Sequence, residues 1–339
     1  MRYVMVFTVM MLLIAGMWGS VLAQTDEELM LANLVASNEA FNAHDVDGVL
    51  ATRTDDVIVD YVPSPPPMVG KEATVEFYTT LLEEPSDILL TPQNALTSGN
   101  ILATEYLITG THMKEWAGIP ASWNKVVLPH LSIYEYEGDK VKKVKKEFSY
   151  MDNVTLFVQY GVMPPVELPS LVPSFTPPDP EPTGLSPAEA AEELIARFNT
   201  HDLSHFIKMV QQDAEIQFMP LGVPVDRNGF LALAEYFLLG FSDLAGDIVR
   251  AIDMGDGWVV TQDVYAGTHD GPYMGVPATG LPSQTRAAGV MHFDADGLLT
   301  DYHLYYDSLK ALMDIGAIPT PETTTVSPST WGEIKSKYR

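Results

Sequence analysis

Apolar and polar positions recur along this chain in two rhythms, helical and alternating, and the order of elements they predict occurs twice. Leu31, Leu34, Val35 and Phe41 fall at helical spacing behind Thr25-Asp26-Glu27-Glu28, as do Ala191, Leu194 and Phe198 behind Ser186-Pro187-Ala188-Glu189. Both leads are capping boxes, the second with proline at the first helical position, so each predicts a helix start. A second short helix is expected over Val46 to Ala51 and over Leu203 to Val210. Strand patterns follow at Val57 to Val62 and Ala214 to Met219, then a third helix at Ala73 to Leu82 and Phe230 to Leu239. The remainder of each half is strand-rich, with Gly99-Asn100 and Asp256-Gly257 as hairpin turns. Helices first and an antiparallel sheet afterwards is an α+β arrangement, with the helices on one face of the sheet.

The halves are copies. Phe41-Asn42-Ala43-His44-Asp45 returns as Phe198-Asn199-Thr200-His201-Asp202. Gly110-Thr111-His112, with Gly118 and Pro120 behind it, returns as Gly267-Thr268-His269 with Gly275 and Pro277. Asp152, Gly161 and Pro164 return as Asp307, Gly316 and Pro319. Three matches in one order mark a tandem duplication. The copies span 25–164 and 186–319, and the proline-dense stretch 165–185 between them reads as a semi-stiff extended spacer. A Pro/Thr-rich tail, 320–339, closes in Trp331 to Arg339, either a docking helix or a frayed end. The aspartates of both His-Asp pairs, and Asp152 and Asp307, are expected to cap the helices that follow them.

Composition adds the compartment. Arg2, an apolar run from Val4 to Val21, and Val21-Leu22-Ala23 before Gln24 read as a signal peptide over 1–23, hence a secreted or periplasmic protein. A retained anchor is the alternative. The chain has no cysteine, which excludes lipoprotein processing and disulfides. A net charge of −26 disfavours nucleic acid and, once the signal is cleaved, anionic membranes as partners. The basic run Lys140 to Lys146 is expected to form a solvated strand whose lysines deter edge pairing, with an anion-binding or self-docking strip as the alternative. No cluster has metal-ligand spacing and no glycine loop is built for phosphate, so neither a metal nor a cofactor is expected.

Helices followed by a curved sheet, the G-T-H loop with its spaced G-x-P, an acidic-Gly turn, a Tyr-Asp strand end and a terminal helix closing on Gly resemble the SnoaL-like family of polyketide ester cyclases. The second copy carries this as GTHDGPYMGVPATG, His292 to Gly297, Tyr305-Tyr306-Asp307 and Leu312 to Gly316; the first as GTHMKEWAGIPAS, Tyr134 to Gly138, Tyr150-Met151-Asp152 and Phe157 to Gly161. The resemblance implies two tandem cone-shaped α+β barrels of the nuclear transport factor 2-like fold. It also implies a cofactor-free aldol-type closure, in which an aspartate with a burial-raised pKa moves a proton next to a carbonyl, helped by a histidine. The places of that aspartate hold Ser149 and Leu304 here, and the histidine aligns with His130 in copy one and with Gly289 in copy two.

A substitute is available in copy one. Strand alternation puts Glu147 on the face of Ser149, so Glu147 and His130 would form a carboxylate–imidazole pair across the sheet. In copy two, Tyr302 and Tyr306 share the face of Leu304 and would make a binding wall. His112 and His269 either meet a ligand at the cone mouth or brace their loops. The site is thus expected from Glu147 and His130 as catalytic groups, with His112, Ser149, His269, Tyr302 and Tyr306 facing a small apolar ligand. Two functions stand: a binder of an oxygenated polyketide-like molecule with cyclase or isomerase chemistry in copy one, or a non-catalytic scaffold of two pseudo-enzyme cones. Cones of this type often dimerise through their sheets, so either a homodimer or an internal sheet-to-sheet pairing is expected.

Overall fold

The computed structural model describes residues 24–83, 87–115, 119–165 and 170–318. The expected signal segment, the C-terminal tail, Gly118 and residues 166–169 of the spacer lie outside them. Domain 1 runs α1 (Asp26–Asn42), α2 (Val46–Ala51), β1 (Arg53–Tyr61), β2 (Met68–Val69), α3 (Lys71–Glu83), β3 (Leu89–Ser98), β4 (Ile101–Thr111), β5 (Lys125–Glu137), β6 (Lys143–Tyr150) and α4 (Asn153–Tyr160). Domain 2 repeats the order: α5 (Pro187–Asn199), α6 (Leu203–Phe206), β7 (Val210–Phe218), β8 (Val223–Val225), α7 (Arg227–Gly240), β9 (Ala245–Gly255), β10 (Trp258–Thr268), β11 (Pro282–Phe293), β12 (Leu299–Tyr306) and α8 (Ser308–Asp314). No helix among the described residues is long and apolar enough to cross a membrane.

Local chemistry sets these boundaries. Thr25 and Glu28 exchange hydrogen bonds at the start of α1, Thr25 N–H to Glu28 Oε2 at 2.9 Å and Glu28 N–H to Thr25 Oγ1 at 3.2 Å, satisfying two otherwise orphaned donors. Asp45 and Asp202 cap α2 and α6, and His44 and His201, both with φ near 60°, turn the chain into those caps. The β9–β10 hairpin has positive φ at Asp256 (49°) and Gly257 (86°), as a two-residue turn of matching twist demands. Helix α4 ends on Gly161 at φ 76°, a left-handed C-cap that glycine adopts without strain.

Each sheet has six strands, in the orders β2-β1-β6-β5-β4-β3 and β8-β7-β12-β11-β10-β9. Three expectations are corrected here. The sheets are open cups and not barrels, because the two edges of each carry no strand-to-strand pairing; helices cover the open side instead. They are mixed and not antiparallel, since β1 runs parallel to β6 and β7 to β12, the last strand of each meander returning beside the first. The lysine-rich strand β6 is interior, between β1 and β5, so it guards no edge. Two of its lysines, and Lys142 just before it, form ion pairs: Lys142 to Asp26 at 3.2 Å, Lys145 to Asp56, and Lys146 to Glu135 at 4.0 Å.

Inside each cup the helices bury their apolar stripe on the concave sheet face. In domain 1, Met30, Leu34 and Phe41 of α1 and Tyr78 and Leu82 of α3 meet Val57, Leu102, Tyr106 and Tyr134. On the convex side, Ile101, Ala103, Leu131, Ile133 and Tyr150 share one apolar cluster with Ile252, Val260, Ala288, Val290 and Tyr305 of domain 2. Polar ties fringe it. Arg286 forks onto Asp60 at 3.0 and 2.7 Å, and Glu105 accepts from Tyr305 at 2.8 Å and lies 2.5 Å from His303 Nδ1. Residues 170–185, expected as a spacer, lie against domain 2: Leu171 and Phe175 pack on its core, Ser174 N–H bonds Glu235, and Arg227 donates to the Pro178 carbonyl at 2.5 Å.

Candidate functional site

Strand alternation determines which side chains enter the cup of domain 1. In β6, Glu147 and Ser149 lie opposite Tyr134 and Ser132 of β5, and all four side chains line one cavity of about 180 Å³. His130, two residues before Ser132 on the same face, joins them. Phe41, Phe77, Leu81, Ile88, Leu90 and Ile108 supply the apolar side. The result is a pocket with one polar wall and one hydrocarbon wall, suited to holding and orienting a molecule with a few oxygens.

The expected Glu147–His130 pair does not form. Arg53, at the start of β1 and only 2% exposed, takes the carboxylate instead. Its Nη2 donates to Glu147 Oε2 at 2.7 Å and to Tyr78 Oη at 2.8 Å, and Tyr78 donates to the same Oε2 at 2.9 Å. Ser37, Thr52 and the Val49 carbonyl hold its Nη1, and the guanidinium lies 4.9 Å from the centre of the Tyr78 ring. Burial opposes the Arg53 charge, yet Tyr78 and Glu147 keep it protonated. No described residue hydrogen-bonds Glu147 Oε1.

His130 bonds Ser149 instead, Nε2 to Oγ at 2.6 Å, with Ser132 Oγ at 3.4 Å. Burial pushes the imidazole down to about 4, against the opposing pull of the Glu147 charge, so the ring is neutral at ordinary pH. Its Nδ1 has no partner among the described residues. Nearby, Tyr106 donates to Asn38 Oδ1 at 3.1 Å and lies 3.4 Å from Tyr134 Oη. Among the described residues no three His, Asp or Glu side chains converge as metal ligands.

The other expected residues are dispersed. His112 is fully buried under its loop, with Nδ1 at 3.0 Å from Ser122 Oγ and its ring stacked 3.8 Å from that of Tyr160. His269 repeats this with Thr279 Oγ1 at 3.0 Å and Phe241 at its side. Both bond across the loop closure, and neither is among the residues lining the main cavity of either domain. Tyr302, Leu304 and Tyr306 line a second cavity, of about 110 Å³, in domain 2. Strand pairing also corrects one alignment: Tyr106 faces His130 as Asp263 faces Ala287, so the counterpart of His130 is Ala287, and Gly289 answers to Ser132.

Two groups escaped the sequence reading. Arg53 gave no signal, since it precedes a polar Thr-Asp-Asp run. Asp263 gave one: it interrupts the inward-facing series Val259, Thr261, Tyr265. It is 3% exposed, its Oδ2 accepts from Thr261 Oγ1 at 3.0 Å, its Oδ1 has no partner among the described residues, and burial pushes it up to about 7.

Comparison with known families matches both cups. A SnoaL-like domain model covers residues 34–144, and a SnoaL-like polyketide cyclase model covers residues 188–315. The chain belongs to the SnoaL-like family. Among solved structures, IdmH from Streptomyces antibioticus is 26% identical, covering 39% of this chain and 99% of its own at a TM-score of 0.36. AclR from Streptomyces galilaeus is 23% identical, covering 40% and 85% at 0.37. A SnoaL-like protein from Jannaschia sp. CCS1 is 16% identical, covering 44% and 100% at 0.37. No curated protein matches. This SnoaL-like chain therefore carries two family domains, of which the first places Glu147 and His130 on its cup wall and the second has Tyr302 and Ala287 at the corresponding places.

Proposed function

We propose that this is an exported SnoaL-like protein whose first domain binds a small, mostly apolar, oxygen-bearing molecule and moves a proton next to its carbonyl without a cofactor. One observation carries the reading: the wall of the 180 Å³ cavity holds Glu147, whose Oε1 no described residue hydrogen-bonds, and His130, whose buried Nδ1 has no partner among the described residues. Glu147 would take a proton from the carbon beside the carbonyl, the electron pair passing to oxygen as an enolate. With the Ser149 hydroxyl donating to Nε2, the neutral His130 keeps its N–H on Nδ1 for that oxygen. The enolate carbon then attacks a second carbonyl, and the new alkoxide recovers the proton from Glu147. Tyr302 and Tyr306 would face a ligand in domain 2, while the proposed roles of His112 and His269 become loop bracing.

Exchange of the α-protons of 1-indanone in D2O, followed by NMR, tests the chemistry. The wild-type protein should accelerate it, and Glu147→Gln should lower that acceleration about a hundredfold or more. One observation favours the purely ligand-binding alternative: Arg53 at 2.7 Å and Tyr78 at 2.9 Å already hold Glu147 Oε2, so half of the carboxylate is committed to structure. Under that reading 1-indanone binds and no exchange is catalysed. Export is tested separately, by N-terminal sequencing of the mature protein, which should begin at Gln24.

A further inference from the structure

The cup of domain 2 lacks five polar groups that mark the wall of domain 1. Where domain 1 places Arg53, Glu147, His130, Ser132 and Ser149, strand pairing puts Val210, Tyr302, Ala287, Gly289 and Leu304. The floor is closed rather than vacant, because a side chain on Gly289 would meet Thr261 Oγ1 at 2.8 Å and the Tyr302 ring at 3.0 Å. Above it a cavity of about 110 Å³ remains, walled by Phe198, Phe218, Phe230, Phe237, Tyr302 and Tyr306 among others. No charged side chain among the described residues lines it.

We infer that domain 2 holds a separate receptor cavity for a compact, uncharged aromatic molecule about one ring in size, carrying at most one hydroxyl. The inference deepens the ligand-facing roles proposed for Tyr302 and Tyr306. Size and wall chemistry define the class. An apolar cavity on the order of 150 Å³ stays dry and admits benzene, and this one is comparable. A charged ligand would have to shed its water against a mostly apolar lining that offers no counter-charge. The single hydroxyl follows from Tyr306, whose buried Oη has Tyr273 and Ser308 as neighbours but no hydrogen bond of proper geometry to either. Domain 1 differs in kind: its cavity is larger and carries an ion pair and an imidazole. The two cups of one chain thus select different molecules.

Titration of methyl-labelled full-length protein with p-cresol, toluene and benzoate, read by NMR, tests this. Saturable shifts are expected with p-cresol and toluene at Leu194, Ile195, Leu244 and Leu304, which line the second cavity. Leu81, Leu90 and Ile108, which line the first, should not move, and benzoate should shift nothing. Ala234→Leu, or Leu304→Phe if that variant does not fold, should weaken both neutral probes at least tenfold by filling the space. Tyr306→Phe should weaken p-cresol several-fold and spare toluene. Absence of saturable shifts with the neutral probes, or equal shifts with benzoate, would overturn the inference. Shifts confined to the domain 1 methyls would overturn it too while leaving the domain 1 reading intact. An equal loss of both neutral probes in Tyr306→Phe would remove the hydroxyl from the ligand.

Discussion

Asp152 and Asp307 cap each other's helices across the domain boundary. Asp152 Oδ1 accepts the Ser308 N–H of α8 at 2.8 Å, while its Oδ2 accepts the Thr155 N–H of its own helix α4 at 2.8 Å. Asp307 Oδ1 accepts the Asn153 N–H of α4 at 2.9 Å and the Leu309 N–H of its own helix at 3.2 Å. The duplicated residue thus serves twice, within its own domain and as the tie between the two. Removing either carboxylate strips donors in two helices, and a single lost cap costs about 1 kcal/mol. Asp152→Ala is therefore expected to destabilise by about 1–3 kcal/mol in urea unfolding, more than Asp45→Ala, which caps one helix only.

Acid should steady this boundary. Burial, and next the Asp152 charge, push Asp307 up to about 7, and burial raises Asp152 as well. A carboxyl raised on folding holds its proton in the native state between the ordinary value near 3.8 and about 7, while the unfolded chain has released it. Stability therefore falls as pH rises through that window. Urea unfolding at pH 5 and pH 8 should show the protein more stable at pH 5, and Asp307→Asn should reduce the difference.

Asp263 adds to the same slope from inside domain 2. Its rise to about 7 comes from burial, with Thr261 as the only hydrogen-bonding offset, so ionising it costs up to about 4 kcal/mol. Asp263→Asn is expected to stabilise the protein at pH 8 and to change little at pH 5. A variant less stable than wild type at pH 8 would show that the charge has a partner.

The Arg53–Glu147 pair behaves differently because each partner holds the other. Breaking a buried pair strands a charge, at about 3–5 kcal/mol. Arg53→Met and Glu147→Met are each expected to destabilise by that order, and the double variant by less than the sum. A double-mutant cycle in denaturant measures the coupling.

His130 contributes on the acid side. Its pKa of about 4 in the fold lies below the ordinary 6.5, so the unfolded chain binds the proton that the native ring refuses. The stability this gives is present above about 6.5 and is lost as pH falls toward 4. NMR of the imidazole should show His130 neutral at pH 5.5.

Much of the fold was legible in residue pattern. Capping boxes, the Asp256-Gly257 turn and the repeated His-Asp pairs are local signals, and each placed its element. The parallel β1–β6 pairing was not legible, because no local pattern states which strand the last one returns beside. Glu147 and Ser149 were correctly placed on one face, since alternation within a strand is a local rule. The partner of Glu147 was missed for the opposite reason: Arg53 lies 94 residues away in sequence, and only the cup's closure brings the two together. The alignment of Gly289 with His130 failed by two residues, a slip that strand pairing resolves and sequence spacing alone does not.

The account rests on two cups of unequal chemistry in one chain, and a crystal structure of the protein soaked with 1-indanone tests this most directly. The ketone should occupy domain 1, its oxygen within hydrogen-bonding distance of His130 and its ring against Phe41 and Phe77. Density for the ketone in domain 2 instead, or a domain 1 cup that excludes it at saturating concentration, would contradict the account.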